Sequence, residues 1–212
     1  MIISHAPYIL PAFIDGSLKP MGTDRTQGMH LSDIVKRMLK AEGAKNLEGI
    51  EGEQKWMRAQ IGFLWEAAIE WAWQEYNGIT RPVEHGAKLL YDDIHGSPDG
   101  IHKIEHRLEE YKFTWKSMRR WEEAAEEEFW SWMVQTQGYL HMWNQTHPDE
   151  HMNEVRFLVF WAGGAYQFKP GRGPQPTETV IGWEDAVLES NWKTILRYRD
   201  FMLKEVEDAV RE

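Results

Sequence analysis

Two acidic residues and a lysine lie close together between positions 98 and 112, in a pattern that can do chemistry. Asp99, which follows Pro98, is itself followed eleven residues later by Glu110, and Tyr111 and Lys112 come next. Side chains alternate between the two faces of a strand, so Glu110 and Lys112 share one face, and a hairpin-like return brings Asp99 beside them. The spacing therefore predicts that two carboxylates and one ammonium group converge.

These groups suit a hard divalent cation and a phosphodiester substrate. The carboxylates of Asp99 and Glu110, with the backbone carbonyl of Tyr111, are ligands that Mg²⁺ or Mn²⁺ prefers, and they leave positions open for water and phosphate. Such a cation lowers the pKa of a bound water and neutralises charge on a phosphorane-like transition state, while Lys112 positions or polarises the attacking water. The residues thus indicate metal-dependent phosphodiester hydrolysis.

The same residues resemble the signature of the PD-(D/E)XK nuclease superfamily, written here as Pro98 and Asp99 followed by Glu110, Tyr111 and Lys112. The resemblance covers about residues 54–164. It implies a restriction-endonuclease-like core of the α/β (α+β mixed) class, with a central mixed β-sheet flanked by helices.

Two further elements stand where the family has them. Glu66, on the helix before the sheet, is similar to the acidic residue that many members contribute as an additional metal ligand; Glu70, one turn away, is the alternative. Gln135 and Tyr139 look like the QxxxY motif of the RecB-like and lambda-type phage exonuclease branch. Residues four apart share one helix face, so both can point toward the site, where they would align the water or the strand end.

The resemblance implies a Mg²⁺- or Mn²⁺-dependent deoxyribonuclease, and within the branch an exonuclease that acts on DNA ends in phage-type recombination, repair or replication. Asp99, Glu110 and the Tyr111 carbonyl would bind metal, and Glu66 would complete a second metal position or orient a metal-bound water. DNA is the implied partner. A ring-shaped homo-oligomer, a compact monomer, and a single-strand annealing or recombination partner protein are all compatible with the resemblance.

Two features depart from the family pattern. RecB-type members often have a metal-binding His on the first helix, whereas this chain has Trp65 beside Glu66. The chain contains no Cys. The absence of Cys excludes disulfides, thiol nucleophiles and the sub-branch whose four Cys residues hold an iron–sulfur cluster.

Four residues are candidates for DNA contacts. Ser32, at the start of an early helix, either caps that helix or contacts a DNA phosphate, as a serine does in lambda-type relatives. Lys116, Arg119 and Arg120 lie just beyond the catalytic strand in a stretch without acidic residues. That stretch either is a solvated turn or follows a phosphate backbone.

Other interpretations of the sequence carry less weight. A zinc site would need histidines such as His102 with His106, but that pair flanks strand-like residues rather than sharing a helix face. A second histidine group, at positions 141, 147 and 151, spans a loop broken by proline. Asp92 and Asp93 form either a turn or an auxiliary metal site. The alternative functions are a structure- or sequence-specific endonuclease on the same fold and a non-catalytic, nuclease-like interaction domain.

Hydrophobic periodicity predicts the elements that would position these residues. After an irregular arm at 1–28, the predicted order is α-α-β-β-β-α-β-β-α. The helices are predicted from just after Ser32 to Gly43 and at about 54–76, 118–144 and 184–210. The strands are predicted at 82–91, 98–104, 108–115, 154–164 and 177–183, the first three as an antiparallel meander.

Composition sets the outer limits. The chain has 212 residues with 24 Lys and Arg against 34 Asp and Glu, a formal charge of −10, so a nucleic-acid surface must be local rather than general. The length predicts one nuclease domain over 1–212, divided into 1–53, the core at 54–164, and a hairpin strand with a C-terminal helix at 165–212. Neither a membrane span nor a signal peptide is indicated, and the cytoplasm of a bacterial or phage-infected host cell is the expected location.

Overall fold

The fold is given by a computed structural model, which describes residues 28–41, 60–69, 83–116, 118–163 and 175–211. The elements within these ranges are β1 Met29–His30, α1 Leu31–Ala41, α2 at 60–69, β2 Val83–His85, β3 Leu89–Tyr91, β4 Ile94–Gly96, β5 Gly100–His102, β6 Arg107–Thr114, α3 Met118–Glu128, α4 Trp130–Thr146, a 3-10 turn Pro148–Glu150, β7 Glu154–Trp161, β8 Gln175–Gly182 and α5 Asp185–Arg211. The predicted mixed α/β class is confirmed.

The larger sheet has five strands in the order β2-β5-β6-β7-β8. Its central pair, β6 and β7, is parallel, with Glu110 opposite Phe157 and Lys112 opposite Val159, and the remaining pairs are antiparallel. Helices α3 and α4 connect the two parallel strands, as a crossover between parallel neighbours requires. Strand β6, which carries the predicted catalytic residues, therefore lies in the middle of the sheet.

A smaller sheet has three strands in the order β1-β4-β3. Strands β3 and β4 form a hairpin whose two turn residues, Asp92 and Asp93, have φ angles of 50° and 59°. The predicted strand at 82–91 is wrong, because these residues divide between the two sheets as β2 and β3, and β4 was not predicted. A two-residue hairpin turn with both φ angles positive is usually signalled by Asn-Gly or Asp-Gly, and Asp-Asp lacks that signal.

The single helix predicted at 118–144 is also wrong, because the chain breaks between α3 and α4. Phe129 lies at the break with φ −117° and ψ 20°, and its side chain is buried. Its ring lies 5.2 Å from that of Trp121, 4.6 Å from Trp132 and 5.6 Å from Trp161. Tertiary packing of this aromatic cluster overrides a sequence that favours an uninterrupted helix.

The other helices follow their hydrophobic patterns. Helix α1 buries Leu31, Ile34, Val35 and Met38 along one side. It begins one residue before Ser32, because β1 leads directly into it, so Ser32 lies in the first helical turn and does not precede the helix. The predicted C-terminal helix is confirmed as α5. Helix α2 lies within the predicted helix at 54–76, whose other residues are outside the described ranges.

Helix α4 forms the centre of the helical layer. It contacts α1, α5, β3 and β7 and contributes Tyr139, Leu140, Met142 and Trp143 to the buried core. This position explains why α4 is apolar on nearly all sides. No helix in the described ranges is long and apolar enough to cross a lipid bilayer.

Candidate active site

Strand β6 presents Glu110 and Lys112 on the same face, as strand alternation predicts. The ammonium group of Lys112 forms an ion pair with Oε1 of Glu110. Glu110 is only 2% exposed, whereas its lysine partner is partly accessible. The structure therefore places a buried carboxylate and a partly accessible cation side by side at the middle of the sheet.

Asp99 joins this pair from the residue just before β5. The backbone N–H of Tyr111 donates a hydrogen bond of 2.7 Å to Oδ2 of Asp99. The antiparallel pairing of β5 with β6 ends with Gly100 opposite Glu109, so the Asp99 carboxylate accepts a strand N–H just beyond that pairing. Asp99 and Glu110 thereby meet at one point, as their spacing predicts.

The electrostatics of this point are those of crowded, buried carboxylates. The pKa of Glu110 is raised from 4.5 to about 8, chiefly by burial and also by the charges of nearby carboxylates. The attraction of Lys112 lowers this pKa but offsets only part of the increase. Burial lowers the pKa of Lys112, but the same carboxylates outweigh burial and raise it above the usual 10.5. Lys112 is therefore an ammonium ion in this arrangement.

Glu66 lies on α2, where its negative charge acts on both residues. It is one of the charges that raise the pKa values of Glu110 and Lys112. The neighbouring Trp65 fixes the helix, since its indole N–H donates to the carbonyl oxygen of Leu158 at 3.1 Å and its ring lies 5.2 Å from that of Phe160. Trp65 thus anchors the helix to β7. Glu70, the alternative acidic residue, lies outside the described residues.

Gln135 and Tyr139 contact each other on α4 and face the same region. The Gln135 amide donates to the Tyr139 hydroxyl oxygen at 2.7 Å, and the backbone of Ser97 also hydrogen-bonds to that hydroxyl. Burial raises the pKa of Tyr139, and the charges of nearby carboxylates raise it further. Gly96 permits this approach, since a Cβ there would lie 3.1 Å from Cδ1 of Tyr139 and 2.9 Å from Sδ of Met142. The hydroxyl stays protonated and keeps its proton for an acceptor in the site.

A divalent cation fits the charge of this arrangement. With all three carboxyl groups ionised, Asp99, Glu110 and Glu66 exceed the single ammonium of Lys112 by two formal negative charges, and a bound cation would favour that ionised state. No group of three or more His, Asp or Glu side chains that could hold a metal ion occurs among the described residues. Two carboxylates with the main-chain carbonyl of Tyr111 match Mg²⁺, which commonly takes one or two carboxylates and fills its other positions with water and phosphate.

The predicted DNA-contacting cations are paired with acidic residues. Lys116 lies 3.4 Å and Arg120 2.6 Å from carboxylate oxygens of Glu128, and Arg119 lies 2.6 Å from Glu123. Both acidic partners lie on α3, the helix that also carries Arg119 and Arg120. The acid-free stretch of sequence therefore acquires its countercharges from residues further along the chain. A phosphate backbone at this surface would compete with those ion pairs.

The residues of the less favoured interpretations have structural partners of their own. Asp92 accepts a 2.9 Å hydrogen bond from the indole of Trp192 and forms the β3–β4 turn with Asp93. His141 stacks on the Trp192 ring at 4.9 Å, and His102 contacts Glu105. The turn interpretation of Asp92 and Asp93 is therefore the one that the structure supports.

Sequence reasoning missed a second charged cluster, on the opposite face of β6. Glu109 is fully buried and forms an ion pair with Arg156, its register partner on β7, while Tyr111 donates its hydroxyl to the same carboxylate at 2.6 Å. Arg156 also contacts Glu105 at 3.3 Å. The one available signal was an arginine inside the otherwise apolar strand EVRFLVFW, which predicts a buried countercharge.

Solved structures share this fold. No protein-family model matches the chain, and no curated protein sequence matches it. A phage-related exonuclease from Haemophilus somnus aligns with a TM-score of 0.44 at 13% identity, over 82% of this chain and 83% of that chain. The alkaline exonuclease LHK-Exo from Laribacter hongkongensis aligns with a TM-score of 0.53 at 15% identity, over 87% of this chain and 92% of that chain. The same exonuclease in complex with dAMP gives a TM-score of 0.52 at 15% identity, over 87% and 92%. The chain therefore shares its overall fold with this alkaline exonuclease, and that fold agrees with the one that the sequence resemblance predicts.

Proposed function

We propose that this protein is a divalent-cation-dependent deoxyribonuclease that hydrolyses phosphodiester bonds at DNA ends. The observation that carries the proposal is the meeting of Asp99, Glu110 and Lys112 at one point of β6, with the tyrosine and glutamine of α4 facing them. This arrangement combines cation ligands, an ammonium donor and further hydrogen-bond donors, which are the groups that metal-dependent phosphodiester hydrolysis uses.

In the proposed mechanism, Asp99, Glu110 and the Tyr111 carbonyl would hold Mg²⁺ or Mn²⁺, and Glu66 would complete a second position or orient a bound water. A bound cation would lower the pKa of a water molecule and neutralise charge on the phosphoryl group. In the hydrolysis itself, water forms a bond to phosphorus and loses a proton, the bond to the leaving oxygen breaks, and that oxygen takes up a proton from solvent. Lys112 donates hydrogen bonds that orient the water or a phosphate oxygen.

Gln135 and Tyr139 align the strand end in this mechanism. Because the Tyr139 oxygen accepts from Gln135, its hydroxyl proton can be donated to a phosphate oxygen or to a carboxylate of the site. The neighbouring residues of α4 are buried and hold the tyrosine in place. These two residues therefore act by position, which is the contribution that catalysis of phosphoryl transfer chiefly needs.

Action at DNA ends is the finer part of the proposal. One matched exonuclease structure holds dAMP, a DNA mononucleotide, and a mononucleotide is the product that stepwise removal from an end would yield. At 15% sequence identity, this structure supports a shared fold, and the action at DNA ends is our proposal. A role in phage-type recombination, repair or replication, a ring-shaped homo-oligomer, an annealing partner protein and a cytoplasmic location remain predictions from the sequence.

The test is cleavage of end-labelled linear DNA and of covalently closed circular DNA in Mg²⁺, Mn²⁺ or EDTA. We expect cation-dependent loss of linear DNA alone, abolished by Lys112→Ala and retained in Lys193→Ala. Lys193 is an exposed control that lies on α5, paired with Glu189 at 2.7 Å. Cutting of circles would favour the endonuclease alternative, and intact DNA of both kinds would favour the non-catalytic alternative.

A further inference from the structure

Strand β6 buries a carboxylate that the proposed mechanism does not use. Glu109 precedes the catalytic Glu110 and points to the opposite face, where it is 0% exposed. Its Oε1 pairs with Arg156, and its Oε2 accepts the Tyr111 hydroxyl at 2.6 Å. Burying a complete ion pair often stabilises a protein no more than apolar residues of similar size would, so a role beyond stability is worth seeking.

We propose that Tyr111, anchored through its hydroxyl by Glu109 and Arg156, is a positioning residue that fixes Asp99 for cation binding. The inference rests on the proposed function. In this proposal the side chain and amide of Tyr111 have a role distinct from the metal contact of its carbonyl. The buried ion pair of Glu109 and Arg156 helps to position a metal ligand.

The physical link runs through one residue. The Tyr111 N–H donates to the Asp99 carboxylate at 2.7 Å, while the Tyr111 hydroxyl, at the far end of the side chain, is held by Glu109. Arg156 lies on β7 and ties this anchor to the neighbouring strand. The orientation of the Asp99 carboxylate is therefore coupled to the opposite side of the sheet.

Gly100 makes room for the anchor. A Cβ at this position would lie 2.6 Å from Cγ1 of Val83 and 3.1 Å from the Tyr111 hydroxyl oxygen. A larger residue directly after Asp99 would push against the anchored hydroxyl or the adjacent strand. The glycine that follows Asp99 thus leaves room for both Val83 and the anchored hydroxyl.

His85 provides a second hold on Asp99. Its Nδ1 lies 3.1 Å from the Asp99 carbonyl oxygen and donates to it in the tautomer protonated at Nδ1. The His85 ring lies 5.9 Å from the ring of Tyr111. Asp99 is therefore held at its carbonyl by the imidazole and at its carboxylate by the Tyr111 amide, and small displacements of such ligands weaken metal sites strongly.

Tyr111→Phe tests the inference because it removes the hydroxyl and keeps the ring and the backbone. Tyr91→Phe is the matched control, since the Tyr91 hydroxyl contacts Gln145 at 3.5 Å, outside the proposed site. Mn²⁺ affinity is measured by calorimetry, kcat and KM by cleavage of end-labelled DNA, and thermal unfolding in parallel. In EDTA, hydrogen exchange of the amide of residue 111 is measured by NMR on ¹⁵N-labelled protein.

For Tyr111→Phe we expect Mn²⁺ affinity and kcat to fall by about 10–100-fold, the usual effect of losing a residue that orients a metal ligand. KM for DNA stays within about twofold, and the amide of residue 111 exchanges about tenfold faster, since its partner is no longer held. The control retains wild-type values. Unchanged exchange, affinity and kcat in Tyr111→Phe would overturn the inference.

Failure of the proposed function would be seen separately. If the wild-type protein neither binds Mn²⁺ nor cleaves DNA, the nuclease proposal fails, and the exchange measurement in EDTA alone decides the inference. Faster exchange at residue 111 in Tyr111→Phe then supports the positioning of Asp99 by this anchor. Unchanged exchange then overturns it.

A second variant separates positioning from folding. The double variant Glu109→Leu/Arg156→Met removes both buried charges, and Glu105, which also contacts Arg156, keeps its ion pair with Arg107, so we expect the protein to keep its fold. We expect a kcat reduced as in Tyr111→Phe at a melting temperature near that of the wild type. A folded double variant with wild-type kcat and Mn²⁺ affinity would contradict the inference.

Discussion

The two faces of β6 each bury a glutamate beside a cationic side chain, yet the two pairs differ in how many carboxylate oxygens are already engaged in hydrogen bonds. On one face, both oxygens of Glu109 are engaged, one by Arg156 and the other by the Tyr111 hydroxyl. On the other face, Glu110 receives its hydrogen bond from Lys112 at Oε1. The first pair is a closed structural contact, and the second is a carboxylate that keeps binding capacity.

The origins of the pairs also differ. Glu109 and Arg156 are opposite each other in the register of two strands, so the pair links β6 to β7. Glu110 and Lys112 are two residues apart on one strand, so their contact adds nothing to the pairing of strands. Burying a charge costs free energy, and a buried charge that does not join elements of the fold points to a functional site, where a ligand or substrate compensates for that cost.

The largest effect on activity should come from replacing Glu110 on the proposed catalytic face of β6. Glu110→Gln removes a cation ligand, and we expect kcat for DNA cleavage to fall about a hundredfold or more, since several kcal/mol of transition-state stabilisation are lost at a factor of ten per 1.4 kcal/mol. Single-turnover cleavage of end-labelled DNA measures it. Activity within a few-fold of the wild type would remove Glu110 from the site.

The same variant has a pH signature in EDTA. The pKa of Glu110 is about 8 in the folded protein against 4.5 ordinarily, so the folded state binds this proton more tightly and the wild type loses stability as pH rises from 4.5 through 8. Glu110→Gln lacks this loss. The melting temperature of Glu110→Gln minus that of the wild type should therefore increase between pH 5 and pH 9. A difference that does not change with pH would contradict the raised pKa of Glu110.

The closed face should respond in stability. Arg156→Met leaves Glu109 buried without its countercharge, which costs about 3–5 kcal/mol. For a chain of this size that corresponds to a fall in melting temperature of roughly 10 °C. Thermal unfolding of this variant beside Glu110→Gln measures the contrast between the faces. A variant as stable as the wild type would show that the pair is not structural.

A smaller effect is expected from removing the Tyr139 hydroxyl, which faces the Glu110 side of β6. Tyr139→Phe removes the acceptor of the Gln135 amide, and kcat should fall about tenfold, within the range for residues that orient a site. Stability should change by only about 1 kcal/mol, the usual net worth of one hydrogen bond. Steady-state cleavage and urea unfolding measure both, and a loss of stability without a loss of kcat would make Tyr139 a core residue only.

The smallest effect concerns the cations beyond β6. Glu128→Gln frees Lys116 and Arg120 from their shared carboxylate, so affinity for DNA should rise about two- to fivefold, and its dependence on salt should steepen, as more phosphate contacts predict. Binding of a catalytically inactive Lys112→Ala background across salt concentrations measures it. An unchanged salt slope would place the DNA elsewhere.

The convergence of the proposed catalytic residues was predictable because it depends on local rules. Strand alternation and a short return are sufficient to bring Asp99, Glu110 and Lys112 together, and helical spacing is sufficient to pair Gln135 with Tyr139. These rules need no knowledge of the tertiary fold. The mixed α/β class followed in the same way from the alternation of periodicities.

The rest depended on contacts between distant segments. The break at Phe129 arises from aromatic packing against Trp161 on β7, and the turn at Asp92 is supported by a hydrogen bond from Trp192 on α5. Arg156 pairs with Glu109 across 47 positions of the chain. Such pairings have no periodic signal, so a single sequence does not reveal them.

The most direct measurement of the central claim is an anomalous difference map from crystals of the protein soaked in Mn²⁺. We expect a peak within about 2.5 Å of carboxylate oxygens of Asp99 and Glu110 and of the Tyr111 carbonyl, the range for hard cations and oxygen ligands. No peak should lie beside Glu109. A peak bound only by other residues, or none on the Glu110 face of β6, would contradict the assignment of this face as the catalytic one.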